Sequence, residues 1–351
     1  MQKVISVGLC LMISVIVVNW NRRELLWASL ESLAGQVDAE FEVILVDNGS
    51  TDGSVEMAIH NFSTRFPLHV IRNADNRGFC AANNQGIAIA GGSLVALLNN
   101  DAEADPTWLR ELREACEERS EIGMVASKIL VYADPQRIDK VGHLIYPDGQ
   151  NRGRGSGELD RGQYDHSTEC LWPDGCAAMY RKSMLDEIGG FDEDFFAYAD
   201  DAELGLRGRI AGWDCVYAPA ARVRHHRGTT LGLASTRRLI LIERNRLLLV
   251  AKLFPWRLVL LNPFYYLLRL SAGALAAWRG QGETNLYPGI RGKARMLWAL
   301  IRGDCAALVM LPRILLKRKE IARFRKRSDA EIILLLRQYR ISLKEISTQG
   351  I

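Results

Sequence analysis

Two mostly apolar runs near the front of the chain, Ile13–Val18 (ISVIVV) and Phe41–Val46 (FEVILV, with Glu42 its one charged residue), are short and rich in β-branched residues. A strand that is apolar on both faces belongs inside a parallel sheet with helices on each side. The intervening segments agree. Glu24–Leu33 carries Leu25, Leu26, Leu30 and Leu33 at helical spacing, Leu68–Arg72 reads as a third strand, Gly78–Ala90 as a helix and Ser93–Leu98 as a fourth strand. Such alternation predicts an α/β fold with a mostly parallel central sheet flanked by helices. Further on, Cys176–Arg181 reads as a strand, Ser183–Ile188 as a short helix and Ala218–Arg224 as the last strand, while the Gly- and Arg-rich stretch Asp148–Gly162 reads as a loop.

Ligands of such sheets bind beyond the carboxyl ends of the strands. Polar clusters follow the second and fourth strands directly, as Asp47-Asn48-Gly49-Ser50-Thr51-Asp52-Gly53-Ser54 and Asn99-Asn100-Asp101, so both are expected on one rim. Each also has a plain reading as turn and helix-cap chemistry. A third cluster, Asp200 with Asp201 and Glu203, lies between Phe195, Phe196 and Tyr198 on one side and Leu204, Leu206 and Arg207 on the other. Adjacent acids in apolar surroundings raise the pKa of one of them, which is costly for folding and useful for a general base. His225 and His226 follow the last strand. A strand-end Asp joined by a His makes an oxygen-rich site that suits Mn²⁺ or Mg²⁺ carrying a diphosphate better than zinc.

The net charge of +4 conceals a division. Residues 1–235 hold 22 Lys and Arg against 34 Asp and Glu, a net of −12, and all six histidines; residues 236–351 hold 23 against 7, a net of +16. An acidic front and a basic, Leu-rich rear suggest chemistry in residues 1–235 and an anionic surface met by residues 236–351. The seven cysteines are odd in number and include no C-x-x-C, which argues against a disulfide framework or a cysteine zinc site and fits a reducing compartment.

The uncharged run Val4–Asn21 imitates a signal peptide, but it lacks a small-x-small cleavage site and leads into Arg22-Arg23-Glu24, so Ile13–Val18 is read as a strand. In the rear, Leu258–Leu268 and Leu270–Trp278 are uncharged and Arg269 separates them, with Asn262-Pro263 in the first run. A spanning helix needs about 20 apolar residues, and a central Arg costs about 2.5–3.5 kcal/mol on insertion scales. A helix lying in the interface is therefore expected. Ala294–Leu316 followed by the basic cluster Lys317 to Arg327 points the same way, because basic residues beside an amphipathic helix are drawn to anionic lipid. The competing expectation is a basic helical region packed on the front half or on a partner.

The same residues carry a resemblance. The stretches Ile13–Asn21 (ISVIVVNWN), Val43–Ser54 (VILVDNGSTDGS), Asn76–Ile87 (NRGFCAANNQGI), Leu97–Ala102 (LLNNDA), Gly189–Arg207 (GGFDEDFFAYADDAELGLR) and Val223–Thr230 (VRHHRGTT) occur in this order. The chain resembles a family-2 glycosyltransferase of the GT-A fold, the nucleotide-diphospho-sugar transferase fold, in the rhamnosyltransferase-like branch that builds bacterial surface polysaccharides. The resemblance covers roughly residues 12–250 and implies the following roles. Asp47 would bond the nucleotide base, with the backbone near Val18 and Asn19 lining the same pocket. Asp52 and the Asn76-Arg77-Gly78-Phe79 loop would help to enclose the nucleotide, and Asn100 lies beside it in the family's D-x-D position. Asp101, the last residue of that position, and His225 in preference to His226 would hold the divalent metal on the donor diphosphate, where it neutralises the charge of the leaving group. Asp201 would be the catalytic base that deprotonates the acceptor hydroxyl, with Asp200 and Arg207 orienting it. One base without a protein nucleophile implies inversion at the anomeric carbon. Two departures stand out: Asn99 replaces the first Asp of D-x-D, and the third acid after Asp200-Asp201 is Glu203.

Rival classes lack their signatures. A dinucleotide dehydrogenase would carry a Gly-x-Gly-x-x-Gly turn after the first strand, where Asn19-Trp20-Asn21 stands. A nucleotidyltransferase would carry a basic Gly-rich loop at the same place. Nucleic-acid binding fits neither the acidic front nor the Leu-rich rear. The different-class alternative is a non-catalytic relative, a nucleotide-sugar binder or membrane scaffold, which would be expected to lose the base or the metal Asp; Asp201 and Asp101 are both present. The expected activity is transfer of a sugar, with rhamnose the candidate, from a uridine or thymidine diphosphate donor to a lipid-linked saccharide. The expected location is the cytoplasm, peripheral at the inner face of the cell membrane.

Overall fold

The computed structural model describes residues 12–166, 169–227, 235–282 and 286–348. The start of the Val4–Asn21 run and the end of the Val223–Thr230 motif lie outside them. The front alternates as its sequence predicts: β1 (Ile13–Asn19), α1 (Arg23–Ala34), β2 (Phe41–Asp47), α2 (Ser54–Phe62), β3 (Leu68–Arg72), α3 (Gly78–Ile89) and β4 (Leu94–Leu98). Strands β3, β2, β1 and β4 lie side by side in that order and run parallel. Because side chains alternate across a strand, Ile16, Ile44, Val46, Val95 and Leu97 enter one core while Val15, Val17, Val43, Leu45 and Ala96 enter the other. Each buried Val, Ile or Leu is worth about 1.5–3 kcal/mol, which is why these runs carry no polar face.

The other half of the sheet is mixed. It is built from β5 (Ala102–Ala104), β6 (Ile122–Val131), β7 (Asp134–Lys140), β10 (Ala177–Arg181) and β11 (Asp214–His225). β10 enters antiparallel between β4 and β6, β11 runs parallel to β6, and β5 and β7 pair antiparallel at the margin. Antiparallel insertion has a functional consequence: the start of β10 sits beside the end of β4, so residues just before Ala177 reach the same rim as Asn99–Asp101. The segment read as a loop from Asp148 contains structure as well. β9 (Asn151–Gly153) pairs with β8 (His143–Ile145), both three residues long and too short to show an alternation. The helix α4 (Trp108–Glu117) covers the sheet behind β5, and α5 (Lys182–Ile188) and α6 (Asp200–Ile210) precede β11.

Five helices follow: α7 (Thr236–Leu253), α8 (Trp256–Trp278), α9 (Gly289–Ile321), α10 (Asp329–Gln338) and α11 (Leu343–Thr348). α7 is not set apart from the front half. Its Leu248, Leu249, Val250 and Leu253 enter the same core as Ile16 and Leu97. α8 and α9 divide their faces sharply. On α8, Arg269 reaches Asp148 at 2.5 Å and Glu243 at 2.8 Å, and Asn262 donates to the Asp148 carbonyl at 3.0 Å. The opposite face exposes Leu260, Phe264, Leu267, Leu275 and Trp278, the last of them 83% exposed. On α9, Ala299, Gly303, Ala307, Ile314 and Ile321 face the protein, while Ile290, Leu297, Ile301, Leu308 and Val309 face away. By length and composition α8 is the one helix among the described residues apolar enough to cross a membrane.

Candidate active site

The rim at the ends of β1, β2 and β4 is tied together by its own polar residues. Asn19 Nδ2 donates to Asp47 Oδ1 at 3.0 Å, Ser50 Oγ at 3.1 Å and Ser54 Oγ at 2.9 Å, and Asn19 Oδ1 accepts from Asn100 Nδ2 at 2.8 Å. Asp47 is almost wholly buried and also accepts from the Ser50 backbone at 2.8 Å. Val18, one residue before Asn19, is partly buried at the edge of the core. The structure therefore brings Val18, Asn19, Asp47 and Asn100 to one place. Asp52 faces elsewhere: its carboxylate accepts from the backbones of Arg23 at 2.9 Å and Ser54 at 3.1 Å, capping the starts of α1 and α2. Asn76 accepts from Gly78 N at 2.9 Å, and Gly78 has φ +85°. A Cβ on Gly78 would come within 2.5 Å of the Phe196 ring, so only glycine fits there.

Beyond β4, the Asp101 carboxylate is buried and its Oδ1 lies 3.4 Å from His225 Nε2. His225 Nδ1 pairs with Asp139 Oδ2 at 2.7 Å, which orients the ring and directs Nε2 to Asp101. His226 turns away, toward Glu103 Oε1 at 3.4 Å, and stacks on Tyr132 with ring centroids 3.7 Å apart. A carboxylate beside an imidazole whose far nitrogen is held by a second carboxylate is a donor set that fits a divalent ion. Asp101 and His225 are the residues that would hold it, and Asp139 would orient His225.

Asp200 and Asp201 open α6. The chain reaches them through Phe196, Tyr198 and Ala199, all at positive φ (63°, 69° and 55°). Non-glycine residues in that region are strained, and such strain persists only where the surroundings over-determine it. Here Phe196 O accepts from Phe79 N at 2.8 Å, and Asn245 of α7 donates to the carbonyls of Phe195, Ala197 and Tyr198 at 2.9, 2.8 and 2.7 Å. Earlier in the loop, Asp192 receives Lys252 at 2.5 Å and also pairs with Lys317. Burial by itself would raise the Asp192 carboxyl, but Lys252 and Lys317 outweigh it and hold it down at about 2.

The two acids have different surroundings. Asp200 is buried; that burial and the carboxylates of Asp201 and Asp174 push it well above the usual carboxylate range. Asp201 is partly exposed, and its Oδ2 lies 3.3 Å from His143 Nε2. The same His143 nitrogen is 3.0 Å from Asp174 Oδ2, which also receives Lys140 Nζ at 2.5 Å. One donor atom each from His143, Asp174 and Asp201 falls within 4.8 Å of the others, a spacing that also fits a divalent ion. In this structure the imidazole and the Lys140 ammonium supply the positive charge there. Burial by itself would lower the His143 pKa, but the Asp201 and Asp174 carboxylates outweigh it and hold it up at about 9.

Arg207 does not reach the acid pair. Its guanidinium binds Glu203 through Nε at 2.9 Å and Nη2 at 2.8 Å, and donates to the carbonyls of Ile188, Gly189 and Gly190. Six positions after Asp201, Arg207 points away from it on the helix, whereas four positions after Glu203 it lies beside it. Glu203 is fully buried between Arg207 and Lys252, the latter at 2.6 Å. Sequence reasoning missed His143, Asp174, Lys140, Asp139 and Asn245. Asp174 stands in the polar turn Pro173-Asp174-Gly175 directly before β10, a signal available in the sequence once β10 is known to run antiparallel.

Comparison with known proteins agrees with the geometry. The chain is 26% identical over 224 residues to the N-acetylglucosaminyl-diphospho-decaprenol L-rhamnosyltransferase of Mycobacterium tuberculosis, across 58% of this chain and 72% of that protein. It is 30% identical over 267 residues to the O-antigen biosynthesis protein RfbC of Myxococcus xanthus, across 72% of this chain but only 20% of that protein. Among solved structures, GalNAc-T7 with UDP, GalNAc and Mn²⁺ matches with a TM-score of 0.56 at 15% identity, over 70% of this chain and 48% of that one, a likeness of fold. The GT-A fold implied by the motifs is thus the fold found. The model of the family described as Glycosyl transferase family 2 matches residues 14–189, half of the chain, from β1 through the rim to the end of α5. The chain belongs to glycosyltransferase family 2.

Proposed function

We propose that the protein is an inverting glycosyltransferase that moves a sugar, with rhamnose the candidate, from a uridine or thymidine diphosphate donor to a hydroxyl of a lipid-linked saccharide during surface-polysaccharide synthesis. One observation carries the reading: Asp101 with His225, and Asp201 with Asp174, come from separate parts of the chain to one sheet rim. One link joins the two groups, since Asp139, which pairs with His225, is the sequence neighbour of Lys140, which pairs with Asp174. The mycobacterial relative, whose name states a decaprenol-linked substrate and rhamnose transfer, supports the choice of sugar and acceptor.

In this reading residues near Val18, Asn19, Asp47, Asn76 and Gly78 bind the nucleotide. Asn19 and Asp47 also brace the pocket from within, because their side-chain atoms are engaged with each other and with Ser50, Ser54 and Asn100. Asp101 and His225 would hold a Mn²⁺ or Mg²⁺ ion, which would supply positive charge to the donor diphosphate. Asp201 accepts the acceptor hydroxyl proton as the new C–O bond forms at the anomeric carbon. The bond to the diphosphate breaks and the diphosphate leaves with the electron pair, so a single displacement inverts the centre. Residues 236–351 serve as the membrane-facing region, with the protein peripheral at the cytoplasmic face and the exposed sides of α8 and α9 on anionic lipid.

Thermal unfolding with a panel of nucleoside diphosphates, with and without Mn²⁺, tests the donor site. A ligand at 100 times its dissociation constant stabilises by about 2.7 kcal/mol. Stabilisation by UDP or dTDP that needs Mn²⁺ and is lost in Asp101→Ala is expected; an absence of response to every nucleotide would reject the reading.

A further inference from the structure

We propose that α9 couples membrane docking to the presentation of the acid pair: Arg313 and Lys317 are positioning residues that hold the loop before Asp200, and an anionic bilayer on the outer face of the same helix fixes that hold. The inference deepens the reading of residues 236–351 as the membrane-facing region and rests on it. Lys317 Nζ pairs with Asp192 and, at 2.6 Å, with Asp194 Oδ2; one turn earlier on α9, Arg313 Nη2 meets Asp194 Oδ1 at 2.9 Å. Both carboxylates are nearly buried, so parting them from these cations is costly. Asp194 N donates to Asp192 Oδ1 at 3.1 Å, which caps a single 3₁₀ turn, Glu193–Phe195. That turn runs straight into Phe196, Tyr198 and Ala199 at positive φ and then into Asp200. The strained stretch contains no glycine, so its conformation is imposed by what grips it.

Two helices share the grip, and they are anchored differently. α7 holds the loop through Arg244 and Asn245 on its carbonyls and through Lys252, which joins Asp192 at 2.5 Å to Glu203 of α6 at 2.6 Å. α7 is itself fixed in the core by Leu248, Leu249 and Leu253. The inner face of α9 opposite α7 is made of Ala299, Gly303 and Ala307, and a Cβ on Gly303 would stand 2.9 Å from Ile240 O. Such small residues permit close approach but bury little apolar area. The larger apolar residues, Leu297, Ile301, Leu308 and Val309, face out, Val309 being 81% exposed. In water a rotation of α9 that hides them is favoured by their burial, and it carries Arg313 and Lys317 off the loop. A bilayer binds the arrangement with the stripe outward, which is the one that reaches Asp192 and Asp194. Lipid therefore shifts the population toward the held loop.

The test is amide hydrogen exchange of the full chain, read on peptides spanning residues 189–201, with no lipid, with phosphatidylcholine vesicles and with vesicles containing phosphatidylglycerol. In the wild type the anionic vesicles should slow exchange in this segment at least about fivefold by suppressing its local opening, and the neutral vesicles should slow it less. Lys317→Ala should still sediment with the anionic vesicles, because the apolar stripe and the other arginines remain, but its loop should exchange faster and no longer respond to lipid. Lys317→Arg should restore the response. A bilayer that merely shielded the loop would slow exchange in Lys317→Ala as well. If Lys317→Ala does not fold, Arg313→Ala, at a more exposed position, serves in its place. Binding to anionic vesicles without slower exchange at residues 189–201 in the wild type overturns the proposal, and so does an undiminished response in a folded alanine variant. Failure of the underlying reading looks different: the wild type then does not bind the anionic vesicles at all, and the proposal falls with it.

Discussion

The side-chain amide of Asn245 donates to the carbonyl of Tyr198 at 2.7 Å, two residues before Asp200. The same amide meets the carbonyls of Phe195 and Ala197, so a helix from the basic rear fixes the strained turn that presents the acid pair. Asn245→Ala removes these bonds; Phe195 O keeps Arg244 Nη2 at 2.9 Å, while the partly buried carbonyls of Ala197 and Tyr198 lose this donor, at about 1–3 kcal/mol. The expected outcome is a loss of stability of that order in urea unfolding. Sugar transfer should fall at least about tenfold, because misplacing a base by an ångström costs rate steeply. The Mn²⁺-dependent response to nucleotide should persist, since Asp101 and His225 stand on other elements. Unchanged turnover in a folded Asn245→Ala protein would show that the turn holds itself.

The two adjacent histidines should separate cleanly. His225 Nε2 faces Asp101 at 3.4 Å, while His226 pairs with Glu103 and stacks on Tyr132. His225→Ala should abolish Mn²⁺-dependent stabilisation by nucleoside diphosphate, whereas His226→Ala should weaken it by no more than a few-fold. Thermal unfolding across a Mn²⁺ series reads both, and the reverse order of effects would exchange the two assignments.

Asp201→Asn is close to isosteric and removes the proton acceptor, so turnover should drop by about 10²-fold or more. Folding and nucleotide binding should be retained, because the Asn side chain can still face His143. A purified assay that finds near-normal turnover would remove Asp201 from the base position.

Stability should also depend on pH through His143. Its pKa is raised from an unfolded value near 6.5 to about 9 in the folded protein, burial being outweighed by Asp201 and Asp174. A raised folded pKa gives stability that is fully present below pH 6.5 and is lost as the pH rises through 9. The loss between those limits is on the order of 3 kcal/mol. Urea unfolding at pH 6 and pH 9.5 measures it, and His143→Gln should flatten the difference. An equal decline in that variant would assign the alkaline loss to other groups.

What was legible in the sequence follows from the range of the interactions involved. β1 and β2 announce themselves because both faces are buried and every residue between Ile13 and Val17 must be apolar or small. The acid pair and Asp101 are visible because motif order and local chemistry coincide. The resemblance sets Arg207 beside the acid pair, whereas helical spacing points it at Glu203, where it is found. His143 and Asp174 could not be joined from sequence, since 31 residues separate them and their meeting depends on a three-residue strand and on the antiparallel entry of β10. Asn245 was hidden by a division at residue 235 that the strained turn bridges.

The division of faces on α8 and α9 leads to a final prediction. If α8 crossed a bilayer, Arg269 and Asn262 would have to leave Asp148 and Glu243, taking the ion-pair partner from the buried Asp148 carboxylate, leaving Glu243 with Arg246, and exposing a guanidinium to lipid. Lying in the interface costs none of these contacts. Ile290, Leu297, Ile301, Leu308 and Val309 recur along α9 opposite the residues that face the protein, and Arg291, Arg295, Arg302 and Arg313 flank that apolar stripe. Apolar insertion and attraction of flanking arginines to anionic lipid act together in such a geometry. The full chain should therefore sediment with vesicles containing anionic lipid and be released substantially by raised salt, because the electrostatic part is screened within about 10 Å at 0.1 M. The triple variant Leu297→Glu, Ile301→Glu and Val309→Glu should reduce the bound fraction at least about tenfold while leaving nucleotide-dependent stabilisation intact. Alkaline carbonate should extract the bound protein. Retention in the carbonate-washed pellet would mean that α8 spans, and full binding by the triple variant would mean that α9 is not the docking surface.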